Sequence, residues 1–211
     1  MKKIIFCNVP MKREQNRFCY IPDGNSTIAY ENEVMYPING VLAKKLKKSD
    51  EVKIVLIKKT DVEDNATVNV NAYKDEVAKI NANIGAKISY DVLETPFEEN
   101  WKTQERLFRA VLGKFEKECE IYTDITYGPK SLPIIMFSAL NFAEKYFDCD
   151  LKGIFYGKVD FVTQENGKAT PVNPVLCDML PLYYLNAITN TSDCENAESA
   201  LKLLDTIISE D

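Results

Sequence analysis

The residues best suited to chemistry lie together in one segment, Asp124-Ile-Thr-Tyr-Gly-Pro-Lys-Ser-Leu-Pro133. Gly128 permits a backbone conformation that other residues avoid, and Pro129 can begin a helix without wasting an amide. A helix N-terminus beside the Lys130 ammonium and the threonine and serine hydroxyls of the segment is suited to binding a phosphate or another anion. The alternative is an ordinary turn between a strand and a capped helix.

Two further features belong to this candidate site. Asp124 could act as a base or a metal ligand, but a carboxylate beside a Gly-Pro turn more often accepts backbone N–H bonds, which favours a structural role. An unusual loop also follows the first predicted strand, and there surface charge is as good an explanation as ligand binding. We predict ligand contacts in the two loops from Asn8, Val9, Pro10, Met11, Lys12, Arg13, Asp124, Thr126, Tyr127, Gly128, Pro129, Lys130 and Ser131.

The composition excludes several kinds of enzyme. The 211 residues contain no histidine, which removes Ser-His-Asp and Cys-His nucleophile pairs and the most common zinc ligand. The glycine-rich fingerprint of dinucleotide-binding domains and the phosphate loop of ATP-hydrolysing enzymes are both absent. We therefore expect neither a metal nor a cofactor.

The charge and the cysteine content limit the binding partners that we expect and the cellular compartment of the protein. The net charge of −6 disfavours binding to long nucleic acids, so a polyanionic ligand must be caught by a local cluster. No window approaches the roughly 18 apolar residues that span a bilayer, so we expect no membrane association. The six cysteines form no Cys-x-x-Cys pair, and reduced thiols in a cytoplasmic protein are the better expectation.

The elements that must position the two loops alternate between strands and helices. Five strands are predicted at Lys3–Val9, Glu51–Lys59, Lys87–Leu93, Cys119–Ile125 and Leu151–Tyr156, and the last of these is expected to pair with 168–175. Helices are predicted at Ala72–Asn83, Lys130–Phe147, Met179–Ile188 and Asn196–Ile208, with others after Pro37 and after Pro96. Capping pairs are predicted at Thr95 with Glu98 and at Ser192 with Glu195.

This alternation predicts an α/β fold of Rossmann type, with a doubly wound, mostly parallel sheet and C-terminal helices. A small hairpin insertion is predicted where Phe18–Pro22 faces Thr27–Tyr30. In the strand order 3-2-1-4-5, ligands bind at the switch point between strands one and four, where the two loops would meet. We expect one domain over residues 1–185 and a helical extension over 186–211.

The segment that begins at Asp124 resembles the CRISPR-associated Rossmann fold (CARF) family of type III CRISPR systems. Members often carry Asp-x-Thr-His-Gly-x-Arg-Ser-x-Pro, which this chain matches except for Tyr127 and Lys130 in place of histidine and arginine. The lysine keeps the charge but loses the bidentate phosphate contact of a guanidinium. The stretch from Asn173 to Pro181 also resembles a segment that precedes the closing helices of the family.

The resemblance implies a ligand and a homodimer. The ligand would be a ring of 3′,5′-linked adenylates, most often of four or six units, and its two-fold symmetry calls for a two-fold site. Thr126, Gly128, Lys130 and Ser131 would then hold phosphates and riboses, while residues 8–13 would close over adenines. The apolar helix after Pro133 suits the dimer contact.

Whether the chain cleaves such a ring stays open. A ribose 2′-hydroxyl held in line can attack its own phosphate without histidine or metal, and Lys130 with Thr126 and Ser131 would be the catalytic residues. Three interpretations remain: a stand-alone ring nuclease, a sensor that signals to a separate effector, or the sensor half of a truncated effector. The alternative outside this family is a flavodoxin-like enzyme that binds a small nucleotide.

Overall fold

A computed structural model describes residues 1–13, 16–24, 26–60, 64–164, 167, 169–191, 194 and 196–208. Its strands are β1 (Lys2–Asn8), β2 (Ile21–Pro22), β3 (Glu51–Lys59), β4 (Lys87–Thr95), β5 (Glu120–Asp124), β6 (Asp150–Thr163) and β7 (Ala169–Asp178). Its α-helices are α1 (Pro37–Lys45), α2 (Asn65–Asn81), α3 (Trp101–Leu112), α4 (Ser131–Phe147), α5 (Leu180–Thr191) and α6 (Ala197–Ile208).

The strands form a single mixed sheet in the order β2-β7-β6-β5-β1-β3-β4. The five strands from β4 to β6 are parallel, β7 runs antiparallel to β6, and β2 pairs in parallel with β7. The predicted order 3-2-1-4-5 is therefore confirmed, as is the pairing of the fifth predicted strand with the segment that follows it. The Rossmann-like α/β class is confirmed with it.

The two faces of the sheet carry separate hydrophobic cores, as a doubly wound fold requires. On β1, Ile5 and Cys7 face the core that contains buried residues of α1 and α2. Ile4 and Phe6, which alternate with them, face the core built with α3 and α4. The connection after β1 therefore passes to one face and the connection after β5 to the other, so the switch point lies between these two strands.

The predicted hairpin insertion is wrong. Ile21 and Pro22 pair with Val175 and Leu176 of β7, and the amide of Asp23 donates to the carbonyl of Leu176 at 2.9 Å. Residues Ser26–Ile28 form a 3-10 helix that buries Ile28. The outer edge of β7 offers unpaired backbone groups and the core offers a site for Ile28, and together these outcompete a local turn.

Helices α2 and α3 begin at residues other than the sequence predicts. Helix α2 begins at Asn65 and not near Ala72, and the fully buried Asn69 interrupts the apolar stripe that predicts such a helix. Helix α3 is capped by Asn100, whose side chain accepts from the amide of Thr103 at 3.0 Å, and not by Thr95 with Glu98. Thr95 instead ends β4, paired with β3. The pair predicted at residues 192 and 195 lies outside the described residues.

Candidate functional site

The two loops predicted to bind a ligand meet at the carboxyl edge of the sheet. In the register of β1 with β5, Cys7 lies beside Asp124, so both strands end at the same level. The loop that follows β5 leads into α4, and a side-chain carbon at Gly128 would lie 3.7 Å from the Cβ of Asn8. The turn before α4 therefore packs directly against the last residue of β1.

Asp124, the last residue of β5, holds the loop that follows through backbone hydrogen bonds. It is fully buried and accepts hydrogen bonds from the backbone amides of Thr126 at 2.8 Å and Ile38 at 3.2 Å. Burial raises the pKa of its carboxyl group to about 6, and the bonds from Thr126 and Ile38 oppose that rise. The contact with Ile38 ties the start of α1 to the loop, which gives Asp124 a positioning role.

The next two side chains anchor the loop to its neighbours. The hydroxyl of Thr126 accepts from the amide of Gly157 on β6 at 2.8 Å. The hydroxyl of Tyr127 donates to the carbonyl of Met35 at 3.1 Å, and its ring meets that of Tyr36 edge to face with centroids 5.8 Å apart. Thr126 and Tyr127 therefore fix the position of the turn at Gly128, which follows them.

The turn itself has the conformation that the sequence indicates. Gly128 has φ +99°, in the region that favours glycine, and α4 begins three residues later at Ser131. Lys130 occupies the N-cap position with an exposed side chain that forms no ion pair with another described residue. The positive end of the α4 dipole and one uncompensated ammonium thus lie together at the switch point.

Residues 9–13, which follow β1, are held in place by hydrogen bonds and are only partly accessible. The amide of Val9 donates to the carbonyl of Ile57 at 2.9 Å, and Val9 and Pro10 are buried. The side-chain amide of Asn69 on α2 donates to the carbonyls of Pro10 and Lys12, both at 2.8 Å. Met11 is half-buried, whereas Lys12 and Arg13 are exposed.

Asn8 stands out because its side-chain nitrogen is buried without a partner. The residue is 1% exposed, and Nδ2 has no hydrogen-bond partner within the described part of the chain. Leaving such a group unpaired costs about 1–3 kcal/mol. Its side chain lies against Gly128, so an acceptor bound at this turn would be within its neighbourhood.

Sequence reasoning missed two charged residues at this edge. Lys59 ends β3 and is 6% exposed, and its ammonium lies 3.4 Å from the carboxylate of Glu99. The same carboxylate oxygen of Glu99 accepts from the hydroxyl of Ser131 at 2.9 Å. The strand order places Lys59 at this edge, because β3 is the neighbour of β1, but it does not reveal the contact of Lys59 with Glu99.

A third missed residue, Glu76 of α2, supports the site from the other face. Its buried carboxylate accepts from the amides of Met35 at 2.9 Å and Tyr36 at 3.3 Å and from the side chain of Asn39 at 2.8 Å. It also forms an ion pair with Arg17. The carboxylate of Glu76 therefore fixes the segment that begins at Met35, whose carbonyl accepts from the Tyr127 hydroxyl.

The described residues offer no cluster of three or more metal-ligating His, Cys, Asp or Glu side chains. Across the same part of the chain, every helix is too short or too polar to cross a bilayer. The arrangement at the carboxyl edge is thus one of positive charge, helix N-terminus and amide donors, which can bind an anion.

Comparison with known proteins gives one informative similarity. No protein-family model matches the sequence. The chain is similar to CRISPR-associated protein MJ1674 of Methanocaldococcus jannaschii, with 33% identity over 110 residues. The alignment covers 51% of this chain, which spans only 16% of the length of that relative. The similarity supports a CRISPR-associated assignment and does not favour the flavodoxin-like alternative.

Proposed function

We propose that the chain is a CARF-type sensor that binds a cyclic oligoadenylate in the cytoplasm as part of type III CRISPR defence. The observation that carries the proposal is Lys130, an exposed ammonium without an ion-pair partner among the described residues, at the N-terminus of α4 and beside the switch point. A phosphodiester is the ligand group that such a position suits. The similarity to a CRISPR-associated protein supports the same class of role.

The ring symmetry of the ligand requires a second copy of the chain. Along α4, Ile134 is 70% exposed and Tyr146 is 58% exposed, and Leu182 on the neighbouring α5 is 52% exposed. Ile134 and Leu182 line one open groove of about 530 Å³ between the two helices. An apolar surface of this kind favours association, and an isologous contact through α4 would bring two copies of the Gly128 turn to one ligand.

Binding is the function that the geometry supports best, because the hydroxyls proposed for catalysis already have partners. Thr126 accepts from Gly157, and Ser131 donates to Glu99. Cleavage would need only Lys130 and in-line geometry: the ribose 2′-oxygen attacks the adjacent phosphorus, the bond to the 5′-oxygen breaks, and a 2′,3′-cyclic phosphate and a 5′-hydroxyl result. The 2′-proton would leave to water, and water would protonate the 5′-oxygen.

Calorimetric titration with cyclic tetra-adenylate and cyclic hexa-adenylate tests the proposal. We expect the wild-type chain to bind one ring per two chains, K130A to bind at least about tenfold more weakly, and K130R to retain binding, since a charge-assisted contact to phosphate contributes about 1.4 kcal/mol or more. K48A is the matched control, because Lys48 is an exposed lysine that precedes β3 at the opposite edge of the sheet. Wild-type protein that binds neither ring refutes the proposal.

Chromatography of the rings after long incubation with excess protein separates a sensor from a ring nuclease. Intact rings would identify the chain as a sensor that transfers the signal to an effector, whether separate or part of a longer polypeptide. Products with a 2′,3′-cyclic phosphate end that disappear in K130A would identify a ring nuclease.

A further inference from the structure

Glu99 occupies a position suited to a bound anion. It precedes the N-cap of α3, and its carboxylate reaches the first residue of α4, accepting from the hydroxyl of Ser131 at 2.9 Å. The same oxygen lies 3.4 Å from the ammonium of Lys59. A hydroxyl donor, a cation and a helix N-terminus thus surround one protein carboxylate, and these are the groups that bind phosphate in other proteins.

The two partners of this ion pair differ in freedom of movement. The side chain of Lys59 is 7% exposed and is fixed by the pairing of β3 on both sides, and its ammonium also donates to the carbonyl of Pro96 at 3.0 Å. The side chain of Glu99 is 38% exposed and belongs to the connection between β4 and α3. Glu99 can therefore turn into water when its contacts with Ser131 and Lys59 are broken, whereas Lys59 stays.

An independent observation on the other side of the Gly128 turn also indicates a ligand. Asn8 is 1% exposed, and its Nδ2 has no hydrogen-bond partner among the residues that the structure describes. Its side chain lies against Gly128, three residues before the start of α4. The site thus combines a donor that lacks an acceptor with a cation that is neutralised by a displaceable carboxylate.

We propose that Glu99 is a gate that a phosphate of the ligand displaces, so that Lys59 and Ser131 form a second phosphate subsite beside Lys130. This inference rests on the proposed function, since it needs a polyanionic ligand at the α4 N-terminus. A phosphodiester and the Glu99 carboxylate carry the same charge and need the same donors, so they cannot share the subsite. The affinity for the ligand therefore depends partly on the contacts of Glu99 with Ser131 and Lys59, which are lost when the ligand binds.

Neutralising Glu99 tests the gate. E99Q keeps the size of the side chain and its ability to accept from Ser131 but no longer competes as an anion, so we expect it to bind cyclic tetra-adenylate about 5- to 10-fold more tightly than the wild type. E98Q is the matched control, because Glu98 is the adjacent exposed carboxylate and contacts the side chain of Asn100 instead of Ser131. We expect E98Q to bind within about twofold of the wild type.

A double substitution shows whether Lys59 touches the ligand. If Lys59 only holds Glu99, K59Q has no effect in the E99Q background. If it contacts a phosphate, K59Q weakens binding about tenfold in that background, and the effect is additional to any change in Glu99. K59M serves the same purpose if the buried glutamine impairs folding, and thermal unfolding of each variant checks that the chain is folded.

The possible outcomes distinguish the displacement of Glu99 from the proposed binding of a cyclic oligoadenylate. Tighter binding by E99Q, together with weaker binding by the double variant, supports the gate and the subsite. Wild-type binding with E99Q equal to E98Q, or weaker than the wild type, overturns the gate and leaves the proposed function standing. If neither the wild type nor E99Q binds any ring, both are overturned.

Discussion

The buried carboxyl group of Asp124 gives a sharp prediction for the pH dependence of stability. Burial raises its pKa from 3.8 to about 6. A carboxyl group with a raised pKa holds its proton more tightly in the folded chain than in the unfolded one. Its contribution is therefore fully present below about pH 4 and is lost as the pH rises through about 6.

The magnitude follows from the size of that change. One pH unit corresponds to about 1.4 kcal/mol, so ionised Asp124 lowers the free energy of unfolding by about 3 kcal/mol at neutral pH relative to strong acid. Of this, about 2 kcal/mol is lost between pH 4.5 and pH 7.5, because the group in the unfolded chain is already largely ionised at pH 4.5.

Asp124→Asn isolates this contribution. Asparagine keeps the shape and cannot ionise, so residue 124 adds nothing to the pH dependence of D124N. It has only one acceptor for the amides of Thr126 and Ile38, so we expect D124N to be about 1–3 kcal/mol less stable than the wild type at pH 4.5 and this difference to shrink as Asp124 ionises. In urea unfolding followed by circular dichroism from pH 4.5 to 7.5, wild-type stability should fall by about 2 kcal/mol relative to D124N. D148N removes an exposed carboxylate in a backbone conformation that asparagine tolerates, and it controls for the general loss of charge.

A difference between wild type and D124N that is constant over this range would refute the reasoning, because burial would then not perturb Asp124. A wild type that gains stability relative to D124N as the pH rises would show the opposite sign, with the amide bonds from Thr126 and Ile38 outweighing burial.

Two further substitutions test the support of the site. G128A should lower the free energy of unfolding by about 2 kcal/mol or more, because it adds to a left-handed backbone a contact of 2.9 Å with Leu132, whereas G85A has the same backbone cost with only an ordinary contact and should lose about 1 kcal/mol. Equal losses in urea unfolding would contradict the close approach at Gly128. E76Q should cost about 2–4 kcal/mol in the same assay, because a glutamine cannot accept from Tyr36, Met35 and Asn39 together, and a loss below about 1 kcal/mol would argue against the carboxylate as the anchor of that segment.

The layout of the sheet could be predicted from the sequence because its signals are local. Apolar runs such as Glu51–Lys59 correspond to β3 with the same bounds, and the alternation of strands with helices indicates the order of the five parallel strands. The pairing of Ile21 and Pro22 with β7 could not be predicted, because its partner lies about 150 residues away and no turn signal connects the two.

In the candidate site, too, residues with a local sequence signal could be predicted, and residues that act through distant contacts could not. Gly128 and Lys130 could be predicted because a glycine and a lysine at a strand-to-helix turn have a local meaning. Glu76, Lys59 and Glu99 could not, because each contributes through contacts with segments distant in sequence. A glutamate inside a helix and a lysine at a strand end are ordinary surface residues until tertiary structure shows what they contact.

The placement of β2 on the outer edge of β7 affects the loop after β1. The chain leaves the sheet at Asn8 and rejoins it at Ile21, with three strands between these two positions, while Tyr20 packs over Gly157 of β6. Lys12 and Arg13 therefore lie between two segments of the chain that are both attached to the sheet. A tethered segment has fewer conformations to lose, so bringing these two cations onto a ligand costs less entropy than ordering an open loop of the same length.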